Sequence, residues 1–297
     1  MILTLNEETN LPACFESLAG LRCTRFVVDS GSTDQTVQIA ASGGASVVCH
    51  PFENYAQQRN WALDNLPFDT PWILNLDADE RLTPQLVGEI NAILEENAPE
   101  VAGYLLRKRT VFMGRWIRHG GHYPTYHLRL FRRGSGRCEA RLYDQHFIVG
   151  GAVKKLSHDY IDVVSSTLVT WTLRHGRWAE MEAAELSGPR KAHNQVEPAM
   201  LGNPIQRRRW WRNVYGRSPL FVRAFAYWFY RYFVRLGFLD GKEGLIFHFL
   251  QGLWFRFLVD AMICADRTEK PVLTARHARS PKVISPTGQS DRSAIQS

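Results

Sequence analysis

The stretch Pro71-Trp72-Ile73-Leu74-Asn75-Leu76-Asp77-Ala78-Asp79-Glu80 sets an apolar run directly against two carboxylates spaced one residue apart. Such a run, closed by acids and followed by Thr83-Pro84, reads as a buried strand that ends in an acidic turn before a helix. Side chains alternate across a strand, so Asp77 and Asp79 are expected on one face, where two hard oxygen ligands can hold a divalent ion that also grips a diphosphate. That combination points to group transfer from a nucleotide donor. The competing reading is a plain acidic cap for the helix that begins at Thr83-Pro84. Short motifs of this kind match by chance, so the neighbouring segments decide between the two.

Working outward, residues 1 to about 105 alternate short apolar runs with amphipathic stretches, as a β-α-β-α chain does. Strands are expected at Ile2–Leu5, Phe26–Asp29, Ser46–Val48, Trp72–Leu76 and Gly103–Leu106. Helices are expected at Asn10–Leu21, Thr33–Ala41, Tyr55–Leu66 and Pro84–Asn97. The pattern predicts a parallel α/β half. In open sheets of that kind, ligands bind beyond the carboxyl ends of the strands. The loops Asn6-Glu7-Glu8, Asp29-Ser30-Gly31-Ser32 and Asp77-Ala78-Asp79 all fall on that edge.

These loops resemble the nucleotide-sugar-binding half of the inverting family 2 glycosyltransferases. The resemblance rests on Thr4-Leu5-Asn6-Glu7-Glu8, Val28-Asp29-Ser30-Gly31-Ser32-Thr33-Asp34, Gln58-Arg59-Asn60 and Asp77-Ala78-Asp79. It implies a GT-A fold: α/β, Rossmann-like, with a mostly parallel central sheet, here joined to a C-terminal amphipathic helical region. It also implies a nucleotide-sugar donor, usually linked to UDP, and a divalent metal, Mn²⁺ or Mg²⁺. Thr4 belongs to the donor-binding motif, Asp29 inherits the contact to the base, and Asp77 and Asp79 inherit the metal, diphosphate and ribose region. Where many members carry two consecutive acids, this chain has Asp29-Ser30, which weakens the inference about the base. Asn6 and Glu7 offer polar contacts near the ribose, against a competing role as caps of the next helix. Arg59 can neutralise a diphosphate as a fork-shaped donor, against a plain surface ion pair. Gly31 supplies the backbone freedom of a tight turn.

An inverting transferase needs a general base to take the acceptor's proton. Two acids lie at the expected point of the chain, Glu139 and Asp144; their order, and the resemblance to the family's acidic position after an Arg-Leu-Phe-Arg strand, favour Asp144. Its competing role is an ion pair with Arg141 or Arg129, which would blunt its basicity. The run from Met113 to Tyr123, followed by His127-Leu128-Arg129-Leu130-Phe131-Arg132, resembles the subgroup that includes the lipopolysaccharide-core β-1,4-glucosyltransferases, which implies a glycan or glycolipid acceptor. His119, His122 and His127 are read as loop or sugar contacts rather than a zinc site, and His158-Asp159 as a diphosphate contact or a domain closure.

Composition bounds the class. Of 297 residues 45% are apolar and 22% charged, which excludes wholesale disorder. Five scattered cysteines without C-x-x-C spacing argue against a disulfide framework and favour a reducing cytosol, and no secretory segment precedes the first strand. The net charge of +7 is concentrated in the second half, notably in Arg207-Arg208-Arg209-Trp210-Trp211-Arg212. No nucleic-acid-binding motif accompanies it, so no nucleic-acid partner is expected.

The expected domains are a catalytic unit over 1–160, a helical region over 161–267 and a disordered tail over 268–297 rich in Arg, Ser and Pro. Within the second, helices at 165–177 and 178–186 precede a Pro/Gly/Arg stretch from Gly188 to Pro219. Residues 220–239 and 245–263 are strongly aromatic but interrupted by Arg223, Arg231 and Arg235 and by His248, Gln251, Arg256 and Asp260, so neither reads as a membrane span. They predict two amphipathic helices lying on an anionic membrane surface, placing the protein on the inner face of the cell membrane. The competing reading is that both helices pack as core. Transfer to polyprenyl phosphate and a non-enzymatic basic scaffold are the remaining functional alternatives.

Overall fold

The computed structural model describes residues 1–188 and 195–277, with side chains through Thr268. The chain runs β1 (Ile2–Thr4), α1 (Leu11–Ser17), β2 (Phe26–Asp29), α2 (Thr36–Ser42), β3 (Ser46–Cys49), α3 (Tyr55–Asp64), β4 (Trp72–Leu74), β5 (Leu76–Asp77), β6 (Glu80–Leu82) and α4 (Pro84–Glu96). It continues through β7 (Val101–Phe112), β8 (Arg115–Trp116), β9 (Thr125–Arg132), β10 (Gly136–Cys138), β11 (Phe147–Val149) and β12 (Ala152–Val164). The helical part comprises α5 (Leu168–Ser187), α6 (Pro204–Arg217), α7 (Val222–Phe229), α8 (Gly241–Phe247) and α9 (Phe255–His277).

The strand expected at Trp72–Leu76 is two strands in two sheets. β4 pairs antiparallel with β9, whereas β5 pairs parallel with β1. Asn75 makes the crossing, its N–H donating to the Arg129 carbonyl at 2.7 Å while Leu76 N–H donates to the Met1 carbonyl at 3.1 Å. The first sheet, in order β3-β2-β1-β5, is wholly parallel. Its inner strand β2 is buried at every position, as a strand covered on both faces must be. The second sheet, β4-β9-β7-β12-β6, is mixed. The central β structure is therefore parallel only in its N-terminal half, because the strand expected at Gly103–Leu106 is a twelve-residue strand, β7, that belongs to the second sheet.

Helix α4 shows how local sequence fixes an element. Thr83 accepts the Leu86 N–H at its N-terminus, Pro84 occupies the first turn, and Asn97 closes it in the left-handed conformation. Its buried residues Leu86, Val87 and Ile90 pack with Leu11, Phe15, Val27, Leu76 and Leu106 in the main core. The cap is thus Thr83, not the acids of the preceding turn.

In the C-terminal half the expected boundaries shift. β12 extends to Val164, past the expected boundary at residue 160, because it pairs with β7 as far as Phe112. The two helices expected over 165–186 are one, α5. The stretch expected to be irregular contains α6, started by a reciprocal cap between Asn203 and Gln206; residues 189–194 lie outside the described residues. Helix α9 runs to His277, so the expected disordered tail cannot begin at 268, and its remainder, 278–297, lies outside the described residues.

The amphipathic segments are built inside out. Arg223, Arg231, His248 and Asp260 are buried, whereas Phe225, Phe229, Phe233, Val234, Leu245 and Phe249 are 44% to 58% exposed. Arg223 pairs with Asp260, which also accepts the Phe221 N–H at 2.7 Å. The stretch Gly237–Thr268 is long and apolar enough, by length and composition, to cross a membrane, contrary to the expectation. Of the polar residues on which that expectation rested, Arg223 and Asp260 pair with each other and Arg256 binds Glu182.

Removing one member of a buried ion pair strands the other in a low-dielectric interior. Asp260→Ala is expected to lower the unfolding free energy by about 3–5 kcal/mol in urea titrations followed by circular dichroism. A loss below about 1 kcal/mol would show that Arg223 finds water instead.

Candidate active site

At the carboxyl edge of the parallel sheet, the first two loops are laced together by their own polar groups. Asn6 N–H donates to Ser32 Oγ at 2.8 Å, and its side-chain oxygen accepts the Thr33 N–H at 2.8 Å. Glu7 N–H donates to Thr36 Oγ1 at 2.7 Å, and Glu8 accepts the Gln35 N–H at 3.0 Å. Asn6 has φ +56°, a left-handed conformation that asparagine tolerates, and Gly31 at φ +94° makes the second turn. The Glu7 carboxyl, raised chiefly by burial, accepts from Asn10 Nδ2, which also donates to Ser165 Oγ beyond β12.

Asp29 is the anchor of this lacing. Its carboxylate is buried and accepts from Thr4 Oγ1 at 2.9 Å, Gly31 N–H at 2.9 Å, and Ser32 N–H and Oγ at 2.7 and 2.5 Å. Burial alone would raise its pKa, but the Ser32, Thr4 and Gly31 hydrogen bonds bring it below the ordinary carboxylate value. With all four donors internal, Asp29 and Thr4 shape the loop, and little acceptor capacity remains on Asp29 for a nucleobase.

Asp77 and Asp79 do not share the face of one strand. Asp77 ends β5, while Ala78 and Asp79 form the turn into β6. Asp77 is held by Arg59 Nη2 at 3.0 Å and by Arg129 Nη2 at 2.9 Å, and its N–H donates to Glu80 Oε2 at 2.9 Å. Burial would raise its pKa, but Arg129 and Arg59 hold it far below the usual range. Arg129 also pairs with buried Glu80, whose carboxyl burial pushes up to about 7 against the pull of Arg129. Asp77, already neutralised by two guanidiniums, is therefore a poor metal ligand, and Arg59 is committed to Asp77.

Asp79 is the contrary case. Its carboxyl is pushed well above the usual range by burial and by the charges of Asp162, Asp77, Glu80 and Glu7, and it has no hydrogen-bond or ion-pair partner among the described residues. Asp162 reaches it through the β6–β12 pairing, in which Val163 N–H donates to the Asp79 carbonyl at 3.0 Å, and Asp162 is itself paired with Lys108 at 2.7 Å. Among the described residues no group of three His, Cys, Asp or Glu side chains is arranged to hold an ion. An uncompensated carboxylate among like charges still fits a hard divalent cation that takes one or two protein carboxylates and completes its shell with phosphate oxygens and water.

The two candidate bases part company. Glu139 is fully buried, paired with Arg209, and accepts N–H groups of His146 at 2.9 Å and Val196 at 3.1 Å, so an acceptor hydroxyl cannot reach it. Asp144 is partly exposed and sits at φ +54°, near neither Arg129 nor an ion pair with Arg141. Its partners are Arg212 at 2.6 Å, Arg208 at 3.2 Å and His146 at 3.8 Å. Burial opposes ionisation, but Arg208, His146 and Arg212 hold Asp144 well below the carboxylate range. The histidines serve separate partners: His119 binds Asp240, His122 Thr110, and His127 the Tyr160 hydroxyl. His158 pairs with Glu89, and Asp159 with Arg107 and Arg109.

Arg129, Glu80, Asp162 and Lys108 went unassigned by motif. Arg129 stood visible in the Arg-Leu-Phe-Arg strand but was matched with the wrong acid, and Asp162 carried no motif signal.

Residues 1–154 match the family model described as glycosyl transferase family 2. The lipopolysaccharide core biosynthesis glycosyltransferase LpsC of Rhizobium meliloti is 37% identical over 144 residues, 46% of this chain and 52% of that protein. An uncharacterised glycosyltransferase of Rickettsia conorii is 41% identical over 92 residues, 31% of this chain and 32% of that protein. The chain thus spans about half the length of the first relative and about a third of the second. S. aureus TarS 1–349 in complex with UDP-GlcNAc aligns over 90% of both chains at 14% identity, with a TM-score of 0.42.

An alanine at position 29 removes both acceptor oxygens and strands the Gly31 and Ser32 N–H groups. Asp29→Ala is expected to cost about 1–3 kcal/mol in urea titrations, a value set by stranded donors. If stability stays unchanged, the anchoring role assigned to Asp29 is wrong.

Proposed function

The chain belongs to glycosyl transferase family 2, and we propose that it is an inverting, metal-dependent glycosyltransferase that moves a sugar from a UDP-linked donor to a glycan or lipid-linked acceptor in bacterial envelope polysaccharide synthesis. The observation that carries the reading is Asp79, a carboxylate without a cationic partner among the described residues, at the carboxyl edge of the parallel sheet. The likeness to a lipopolysaccharide core glycosyltransferase favours a core glycolipid among the acceptors. Exposed Phe225, Phe229, Phe233 and Phe249 favour attachment to the inner face of the membrane, aided by exposed Arg207, Arg217 and Lys242.

Asp79 would hold the divalent ion, with Asp162 as the neighbouring charge and Asp77 contributing through its exposed third to the donor's ribose. Bound there, the ion would supply Lewis-acid stabilisation of the departing diphosphate. Arg59 and Arg129 keep Asp77 ionised and oriented, while Asn6 and Glu7 fix the loop that faces the donor. Asp144 is the proposed base: its carboxylate is ionised at any working pH and would accept the hydroxyl proton as the acceptor oxygen attacks the anomeric carbon. Arg208 and Arg212 orient that carboxylate and lower its basicity, so proton transfer is expected late, when the hydroxyl has become acidic.

A proton competes with the cation for Asp79, and its pKa is raised, so affinity for Mn²⁺ is expected to climb with pH until Asp79 is ionised. Calorimetry of UDP with Mn²⁺ should show that climb and lose it in Asp79→Ala. UDP binding that ignores both Mn²⁺ and the substitution would sink the metal assignment. In a screen of UDP-sugars, Asp144→Asn is expected to lower transfer by about 10²–10⁴-fold while UDP binding persists. Full transfer by that variant would remove Asp144 as the base.

A further inference from the structure

One arginine beside the candidate site is left over. The other cations around it are already paired: Arg59 and Arg129 hold Asp77, Lys108 holds Asp162, and Arg208 and Arg212 hold Asp144. Arg174, on α5, meets no carboxylate among the described residues, and of its guanidinium nitrogens only Nε is buried without a partner. The side chain is partly exposed, so its two Nη groups remain open to a ligand. The guanidinium lies 5.2 Å from the Trp178 ring centre, a cation–π contact that steadies it against the helix.

Two sets of contacts place Arg174 between the donor loops and the candidate base. On one side, the Trp178 ring packs at 5.8 Å on Tyr143, the neighbour of Asp144. On the other, Asn10 Nδ2 ties the Glu7 carboxylate at 2.7 Å to Ser165 Oγ at 2.8 Å, just ahead of α5. Burial raises the Glu7 carboxyl, and Asn10 and Arg174 draw it back. Burial and Asp77 raise the Tyr55 hydroxyl, and Arg174 and Arg59 oppose them. The Tyr55 ring centre lies 5.8 Å from the Arg59 guanidinium that holds Asp77. Glu7 and Tyr55 are thus within electrostatic reach of both Arg174 and the acidic turn.

An ion at Asp79 meets a diphosphate from one side only. A guanidinium is a planar fork that spans two phosphate oxygens, and such charge-assisted pairs are the stronger kind. We propose that Arg174 binds the diphosphate of the nucleotide-sugar donor from the α5 side, opposite the acidic turn, and neutralises it as it leaves. As the bond between sugar and diphosphate breaks, its electron pair passes to the diphosphate oxygen, and Arg174 meets the added charge. The acceptor hydroxyl supplies the new bond and gives its proton to Asp144. The inference deepens the donor reading above and rests on it.

The test uses the full chain, with UDP and Mn²⁺ in calorimetry and with uridine in saturation-transfer NMR. Arg174→Gln is expected to weaken UDP binding by on the order of tenfold and leave uridine binding unchanged, as loss of a charge-assisted pair predicts. Arg177→Gln removes the same charge from an exposed position on the same helix and should leave UDP affinity as it is. Arg174→Lys should fall between wild type and Arg174→Gln, because a point charge cannot span two oxygens, and it carries the test should the glutamine variant not fold. The proposal is overturned if Arg174→Gln, or a folded Arg174→Lys in its place, binds UDP as the wild type does. It is equally overturned if uridine binding falls as much as UDP binding, which would make Arg174 a support of the loops. A matching loss in Arg177→Gln would also overturn it, by reducing the effect to bulk charge. Wild-type protein that binds no UDP would sink the donor reading itself, whereas UDP affinity untouched in Arg174→Gln would sink this assignment alone.

Discussion

The geometry of the active edge depends on Arg129. From β9 in the mixed sheet, its guanidinium pairs with Asp77 at the end of β5 and with Glu80 at the start of β6. One buried cation thereby holds both ends of the acidic turn and neutralises two of its three acids. Without it, Asp77, Asp79 and Glu80 would face one another in a desolvated turn, and like charges so placed cannot all ionise. Arg129 lets the turn exist and leaves Asp79 as the one carboxylate with charge to spare. The Arg129 backbone also ties the two sheets together, since its carbonyl accepts the N–H of Asn75 where the chain crosses between them.

Charge is sorted by the same rule through the rest of the molecule. Buried ions come in pairs, as with Arg209 and Glu139 or Arg223 and Asp260, because a lone charge in the interior is expensive. The exceptions are informative. Among the described residues, Asp79 is an acid without a cation and Arg231 a base without an acid, one on the sheet edge and the other under the aromatic helices. Asp144 lies between these extremes, ionised by its arginines yet partly exposed.

Much of the fold was legible. The β-α-β-α alternation, the strand Phe26–Asp29 and the helix starts at Tyr55 and Pro84 follow from local periodicity and capping residues. The convergence of three loops at one sheet edge followed from the parallel connection alone. The split at Asn75 was not legible, because an apolar run reads the same whether its residues pair with one sheet or two. Within the site, Asp29 and Glu139 were correctly noticed as acids of consequence but given ligand-facing roles, whereas the structure saturates both with internal donors.

The sequence by itself determined the family, the parallel half and the position of the acidic turn, since these rest on contacts between near neighbours and on motif spacing. Only the tertiary structure decided which carboxylates are free. Arg129 is 52 residues from Asp77, and Arg212 is 68 residues from Asp144, so no local pattern links them. The same holds for the C-terminal helices. Periodicity revealed two faces, but which face turns inward depends on what lies opposite. Here Asp260, His119 and Gly120 supply partners that draw Arg223, Asp240 and Arg231 inside and leave the aromatics facing out.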